Sequence, residues 1–148
     1  MSSSGITPIT KSVTPIPASA TVVEAARLIE AEQSTLPVVD EAGRVLGVVD
    51  SASLLKALVP RYLEQLSHTG FIRQDPAGLL RHALQAAQQP VCDVVQTLPE
   101  YLQEGASEAH AAELFLHTGV LAIPVVDADG GLVGVVRRVD LVVALATD

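Results

Sequence analysis

Apolar positions along this chain switch between two spacings. Ala25, Ala26, Leu28 and Ile29 recur at helical intervals, and the runs Leu36 to Val39 and Val45 to Val49 are short, β-branched and separated by a polar turn at Asp40 to Gly43. Thr21 stands ahead of the helical stretch with Glu24 three residues on, the capping-box spacing that supplies acceptors to the free N–H groups of a helix start. Ser53 to Leu58 reads as a second helix capped by Ser53, and an extended segment around Ile16 precedes the whole set. The pattern predicts helix, strand, strand, helix.

The same order returns later. Pro37 to Leu58 (PVVDEAGRVLGVVDSASLLKAL) lies over Pro124 to Leu145 (PVVDADGGLVGVVRRVDLVVAL) without a gap, and half of the aligned positions are identical. Upstream, Thr21, Ala25, Ala26 and Leu28 face Ser107, Ala111, Ala112 and Leu114, with the first copy one residue shorter just before its Pro. Ser107 takes the cap position and His110 the Glu position; Asp127, Asp129 and Gly130 repeat the turn. Asp140 to Ala146 gives the closing helix, capped by Asp140, and Leu98 marks the extended segment. The chain is therefore expected to be α/β (α+β), with two copies of one small sheet flanked by helices. Unit 1 is placed at 12–58 and unit 2 at 94–146. Between them, 59–93 reads as a helical connector: Tyr62, Leu63 and Leu66 continue an apolar stripe past Pro60, and Pro76 opens a helix through Leu79, Leu80, Ala83, Leu84 and Ala87 that Pro90 ends.

Composition narrows the function. The 148 residues are 49% apolar and only 3% aromatic, without Trp, which leaves few rings for stacking on bases. Nine basic against seventeen acidic residues give a net charge of −8, a field that repels nucleic acid and anionic membranes. No apolar run reaches the roughly 18 residues of a membrane span, and the opening residues lack a secretory pattern. One cysteine, Cys92, forms no intrachain disulfide and fits a reducing compartment; the cytoplasm is the expectation. Cys92 is expected as a packed thiol, and His68, His82, His110 and His117 are too scattered to suggest a metal site. No P-loop, catalytic triad spacing or paired-carboxylate motif is visible, so no catalytic residue is assigned and no enzyme is expected.

The capped Ala-Ala helices (TVVEAARLI, SEAHAAELF), the LPVVD and IPVVD strands, and the GVVDSAS and GVVRRVD segments together resemble the CBS domain, the regulatory unit named after cystathionine β-synthase. Their order, repeated twice, resembles a CBS pair, or Bateman module. The resemblance implies two units packed sheet to sheet about a pseudo-twofold axis, frequent dimerisation, and adenosine nucleotides (AMP, ADP or ATP) bound in the clefts between units. It implies no required cofactor and no chemistry; occupancy would be passed to a regulated enzyme or transporter.

The family's nucleotide signature falls on Gly134, Val135, Val136, Arg137, Arg138, Val139 and Asp140 in the second copy. The resemblance makes Asp140 the acceptor for both ribose hydroxyls and puts Arg137 where the family has a Thr near phosphate, with Arg138 beside it. Gly134 and the following helix start would let backbone approach the anion. Leu98, Ala122, Ile123 and Pro124 would line the adenine slot, and Val136 is counted among the nucleotide-binding positions. In the first copy the signature reads Gly47 to Ser53. Asp50 there places a carboxylate at the phosphate position, a repulsion of about 4 kcal/mol at an effective dielectric of about 20 and a separation of about 4 Å. Ser53 cannot replace a two-oxygen acceptor, so this site, with Ile16 and Leu36, reads as degenerate.

Each of these residues also has a plainer role. Asp140 can be a helix cap alone, Arg137 and Arg138 can serve a subunit interface, and Asp50 and Ser53 can be turn and cap. The alternative to a ligand sensor is a dimerisation scaffold whose clefts have decayed. A homodimer is expected on either reading, on the premise that Ala26, Ile29, Leu114 and Phe115 expose apolar helix faces.

Overall fold

The computed structural model describes residues 5–59 and 76–147. A 3-10 turn at Thr7–Ile9 leads into β1 (Thr10–Lys11), β2 (Ile16–Pro17), α1 (Val22–Glu32), β3 (Leu36–Val39), β4 (Val45–Val49) and α2 (Ser51–Leu58). After α3 (Pro76–Ala86) and a 3-10 turn at Val91–Val94 come β5 (Leu102–Gln103), α4 (Glu108–Thr118), β6 (Ala122–Val126), β7 (Leu132–Arg137) and α5 (Arg138–Thr147). The mixed α/β architecture and the tandem repeat read from the sequence are both present. The expected connector helix appears at α3; Pro60, Tyr62, Leu63, Leu66 and His68 lie outside the described residues.

Both hairpins close by the same chemistry. One Asp40 oxygen accepts the N–H groups of Ala42 and Arg44 at 2.9 and 3.0 Å, and one Asp127 oxygen accepts those of Asp129 and Gly131, both at 2.9 Å. The backbone donor of Arg44 is the chief reason the Asp40 carboxyl lies below the usual carboxylate range. Gly43 and Gly130 both adopt φ +84°, which the turn needs and a Cβ would strain. Each helix that precedes a hairpin is capped as expected: Thr21 and Glu24 form the complete capping box, and Ser107 accepts the His110 N–H at 3.0 Å.

Beside each hairpin a short parallel strand is added. Ile16 lies opposite Val38 and Leu102 opposite Val125. The second extended segment is thus at Leu102, not Leu98. Ile16 is five residues before the Thr21 cap and Leu102 five before the Ser107 cap, so the spacing to the helix sets the register, and Leu98 is instead a buried core residue.

The local pattern does not reveal that the units exchange chain. β1 leaves its own unit to pair antiparallel with β7, making one sheet of order β1-β7-β6-β5 against β2-β3-β4. In return, Gln96 exchanges both backbone hydrogen bonds with Val48 of β4, at 2.8 and 2.9 Å. Ile6, fully buried, and Val48 belong to the second unit's core with Leu102, Leu114, Phe115 and Ile123. The first core gathers Ile16, Val22, Ala25, Leu36, Val38 and Leu54. The hairpin turns also join, Val45 N–H to the Gly130 carbonyl (3.1 Å) and Leu132 N–H to the Gly43 carbonyl (3.0 Å), which gives the pair its pseudo-twofold character.

Three further expectations change. Ile29, Leu114 and Phe115 are buried and Ala26 half-buried, because these faces pack on their own sheets; apolar side chains left in solvent include Leu116, next to Phe115, and, on other helices, Leu55, Leu80, Leu84, Val139, Val142, Val143 and Leu145. Cys92 is exposed rather than packed, since the 3-10 turn buries its neighbour Val91 and turns the thiol outward. The last helices also begin earlier than expected: α2 starts at Ser51 with Asp50 as its cap, and Asp140 is the third residue of α5 rather than its cap. β7 runs directly into α5, and only the capping Asp50 stands between β4 and α2. Among the described residues no helix is long and apolar enough to cross a membrane.

Candidate functional site

Asp50 and Arg137 occupy equivalent places at the junction of strand and helix, and Ser53 and Asp140 are equivalent in the first helical turn. In the first unit the pair is turned inward on the backbone. Asp50 accepts the Ser53 N–H at 2.9 Å, while the Ser53 hydroxyl accepts the Asp50 N–H at 3.0 Å. In the second unit the pair is ionic. Arg137 donates Nε and Nη2 to the two oxygens of Asp140 at 2.8 and 2.9 Å, and Lys11 Nζ of the exchanged strand lies 3.4 Å from Asp140 Oδ2. The Arg137 hydrogen bonds hold the Asp140 carboxyl below the usual carboxylate range, and raise the guanidinium pKa further.

These junctions open onto clefts that flank Ser34 and Leu121. A cleft of about 360 Å³ is lined by Arg137, Arg138, Val139 and Val142 together with Gln33, Ser34 and Leu121. A smaller one of about 200 Å³ shares Ser34 and Arg137 and adds Lys11, Ser12, Val13, Glu32, Leu36 and Val135. Arg137 therefore stands where two adjoining spaces meet, between β7 of one unit and the N-terminal segment, α1 and β3 of the other. On the opposite side of Ser34 and Leu121 lies a cleft of about 380 Å³, with Asp50 and Ser51 at its rim and Ile29, Leu54, Leu55 and Leu58 on its walls. Thr35, buried beside them, accepts the Leu121 N–H at 3.0 Å and ties the units together here.

The residues singled out from the sequence divide into two groups. Arg137 and Arg138 line the second-unit cleft with Ser34, and Asp140, which itself lines none of the three clefts, joins them through its pairing with Arg137 and Lys11. Val136, Leu98, Ala122, Ile123 and Pro124 are buried in the second unit and line none of these three clefts. Leu36, read with the first copy's site, faces the cleft of Arg137, while Ile16 is fully buried in the first core. Gly134 has a neighbour other than an anion: a Cβ on it would stand 2.6 Å from the Lys11 carbonyl, so its missing side chain makes room for the exchanged strand. Gly47 does the same for Gln96, at 2.8 Å.

Lys11, Ser12, Val13 and Ser34 were not visible as site residues in the sequence. The signal that could have found them is the pseudo-twofold axis, since a cleft on it draws its second wall from the other copy. Among the described residues no cluster of three or more His, Cys, Asp or Glu side chains could hold a metal. His110 pairs with Glu100 at 2.9 Å, and His117 bonds its own helix through the Glu113 carbonyl.

The CBS domain pattern matches residues 5–60 and 91–147. Among curated proteins the chain is 30% identical over 134 residues to the CBS domain-containing protein CBSX1, chloroplastic, of Arabidopsis thaliana; the match covers 82% of this chain, which spans only 54% of that protein. Among solved structures, Arabidopsis CBSX2 superposes with a TM-score of 0.73 at 24% identity over 98% of this chain and 96% of the other. CBSX2 in complex with AMP gives 0.70 at 24% identity over 96% of each chain. A Methanocaldococcus jannaschii protein described as a putative archaeal homologue of γ-AMPK gives 0.74 at 22% identity, over 95% of this chain and 49% of that one. With the family pattern on both repeats and the same paired architecture in these structures, the chain belongs to the CBS domain family and is a CBS pair.

Proposed function

We propose that this CBS pair is a regulatory module that binds an adenine nucleotide in the inter-unit cleft at Arg137 and passes its occupancy to a partner enzyme or transporter. The observation that carries the reading is the pairing of Lys11 and Arg137 with Asp140 at the edge of a cleft that Arg137 and Arg138 line, in a chain of net charge −8. A volume of about 360 Å³ fits small-ligand sites, which run from about 300 to 1,000 Å³. Asp140 supplies the two-oxygen acceptor for a ribose diol, and Arg137 a planar fork for phosphate. The AMP held by the related CBSX2 supports the ligand class. The first-unit cleft, apolar and rimmed by Asp50, is unsuited to phosphate. The module needs no cofactor and performs no chemistry, and a reducing, cytoplasmic setting suits the exposed thiol of Cys92.

Calorimetric titration with AMP, ADP and ATP tests this reading. AMP is expected to bind once per chain, and Asp140→Ala to weaken it about tenfold or more by removing charge-assisted hydrogen bonds. Affinity should fall with added salt. No heat with any of the three would leave the scaffold reading in its place. That reading draws on exposed apolar side chains of α2, α4 and α5, among them Leu55, Leu116, Val139, Val142 and Val143, each more than half exposed, for a homodimer contact. Light scattering showing a monomer at tens of micromolar would remove it.

A further inference from the structure

The nucleotide reading gives Asp140 and Arg137 separate duties, yet in the structure each is the other's partner. Both Asp140 oxygens face guanidinium donors at 2.8 and 2.9 Å. Asp140 offers about four acceptor sites, of which Arg137 takes one on each oxygen and Lys11 another on Oδ2. A ribose diol, which needs two, must therefore compete with Arg137, and neutral hydroxyls make weaker hydrogen bonds to a carboxylate than a bidentate guanidinium does. The Arg137 side chain is 43% exposed at the end of β7 and lines both adjoining clefts, so it can rotate off Asp140 without moving a buried strand. The Lys11 ammonium, 3.4 Å from Oδ2, comes from the other unit and is free to stay when Arg137 leaves.

We infer that Arg137 is the specificity-determining gate of this cleft. It occupies the Asp140 carboxylate until a phosphate draws it away, so that a ribonucleotide is admitted and the bare nucleoside is turned away. The inference rests on the nucleotide reading above and adds the order of events within it. A phosphate offers the guanidinium a second bidentate partner, so that one ion pair is exchanged for another. A nucleoside offers nothing in return and must displace Arg137 into water. Lys11 remains beside the carboxylate as the diol docks, which keeps a positive neighbour on Asp140 throughout.

The test is titration of the full chain with adenosine and with AMP, using the wild type, Arg137→Thr and Arg137→Gln. Matching unfolding midpoints establish that the variants are folded, and the two replacements differ in length while sharing the loss of charge. Both variants are expected to bind adenosine about fivefold more tightly than the wild type, the upper range for a partly exposed ion pair, while AMP binding weakens. Adenosine bound by the variants and not by the wild type supports the gate equally. If the wild type binds AMP and neither variant gains adenosine affinity, the gate is wrong and the nucleotide reading stands. If no protein binds either ligand, the nucleotide reading fails and the gate with it.

Discussion

The two units place the same pair of positions at the same junction and use it in different ways. In the first, Asp50 caps α2 and Ser53 answers it, so both side chains end on backbone. In the second, Arg137 replaces the acid at the junction and the acid moves three residues on, to Asp140. The backbone path is shared; what differs is whether the polar groups are consumed by the fold or kept as an ion pair beside a cleft. A repeat thus separates what the fold requires from what one copy carries beyond it. Gly47 and Gly134 are alike in both copies because each must admit a carbonyl from the other unit.

Filling those glycines should break both halves of the comparison and gives the largest effect. Gly134→Ala puts a methyl group 2.6 Å from the Lys11 carbonyl and 3.0 Å from Thr10 Cγ2, and Gly47→Ala puts one 2.8 Å from Gln96 O. Each is expected to lower stability by about 1 to 3 kcal/mol in urea unfolding, Gly134→Ala more so, as the exchanged strand is forced off β7. Equal stability to the wild type would mean that the exchanged segments are not held at this distance.

Next in size are the two junctions. Asp50→Ala removes an N-cap and should cost about 1 kcal/mol at neutral pH. Asp140→Asn loses a partly exposed ion pair and should cost less, about 0.5 kcal/mol. Asp140 also leaves a mark on the acid limb. A carboxyl whose pKa is lower in the folded than in the unfolded chain stabilises the fold above its unfolded value, and that contribution is lost as pH falls through the folded value. Asp140 is such a group, so Asp140→Asn should flatten the loss of stability on acidification; an unchanged pH profile would mean that the Arg137 pair does not persist in solution.

The copies also differ where α1 and α4 end. Gly119 closes α4 at φ +70°, but Gln33 closes α1 in the same left-handed region at φ +55°. Gln33→Gly should raise the stability slightly, by a few tenths of a kcal/mol up to about 1, and with it the melting point, offset by loss of the Gln33 Nε2 bond to Glu30 O. A fall would show that this bond outweighs the backbone strain.

Much of this was legible in the residues. The capping box at Thr21 and Glu24, the hairpins, and the Asp-led turns are local, and local chemistry is written in neighbouring residues. The start of α5 was less so, because Asp140 suits a cap by type and only the path of β7 shows that the helix has already begun two residues before it. The partners of Asp140 divide the same way. Arg137 is three residues off and was expected nearby, though as a phosphate ligand and not as its ion-pair partner. Lys11 arrives from across the molecule on a two-residue strand too short to leave a periodic signature.

The exchange of β1 also orders the events of synthesis. Thr10 pairs with Val136, so β1 finds its sheet only once Val136, far along the chain, has been made. Until then Ile6 lacks the core it fills, and β7 cannot gain its outer neighbour because it does not yet exist. Docking of this segment closes a long loop, and contacts of such sequence separation form late and slowly. The ammonium that steadies Asp140 is carried by the same segment. The charged cleft is therefore completed late in the making of this pair, and Lys11 cannot stand beside Asp140 before β7 and α5 have been made.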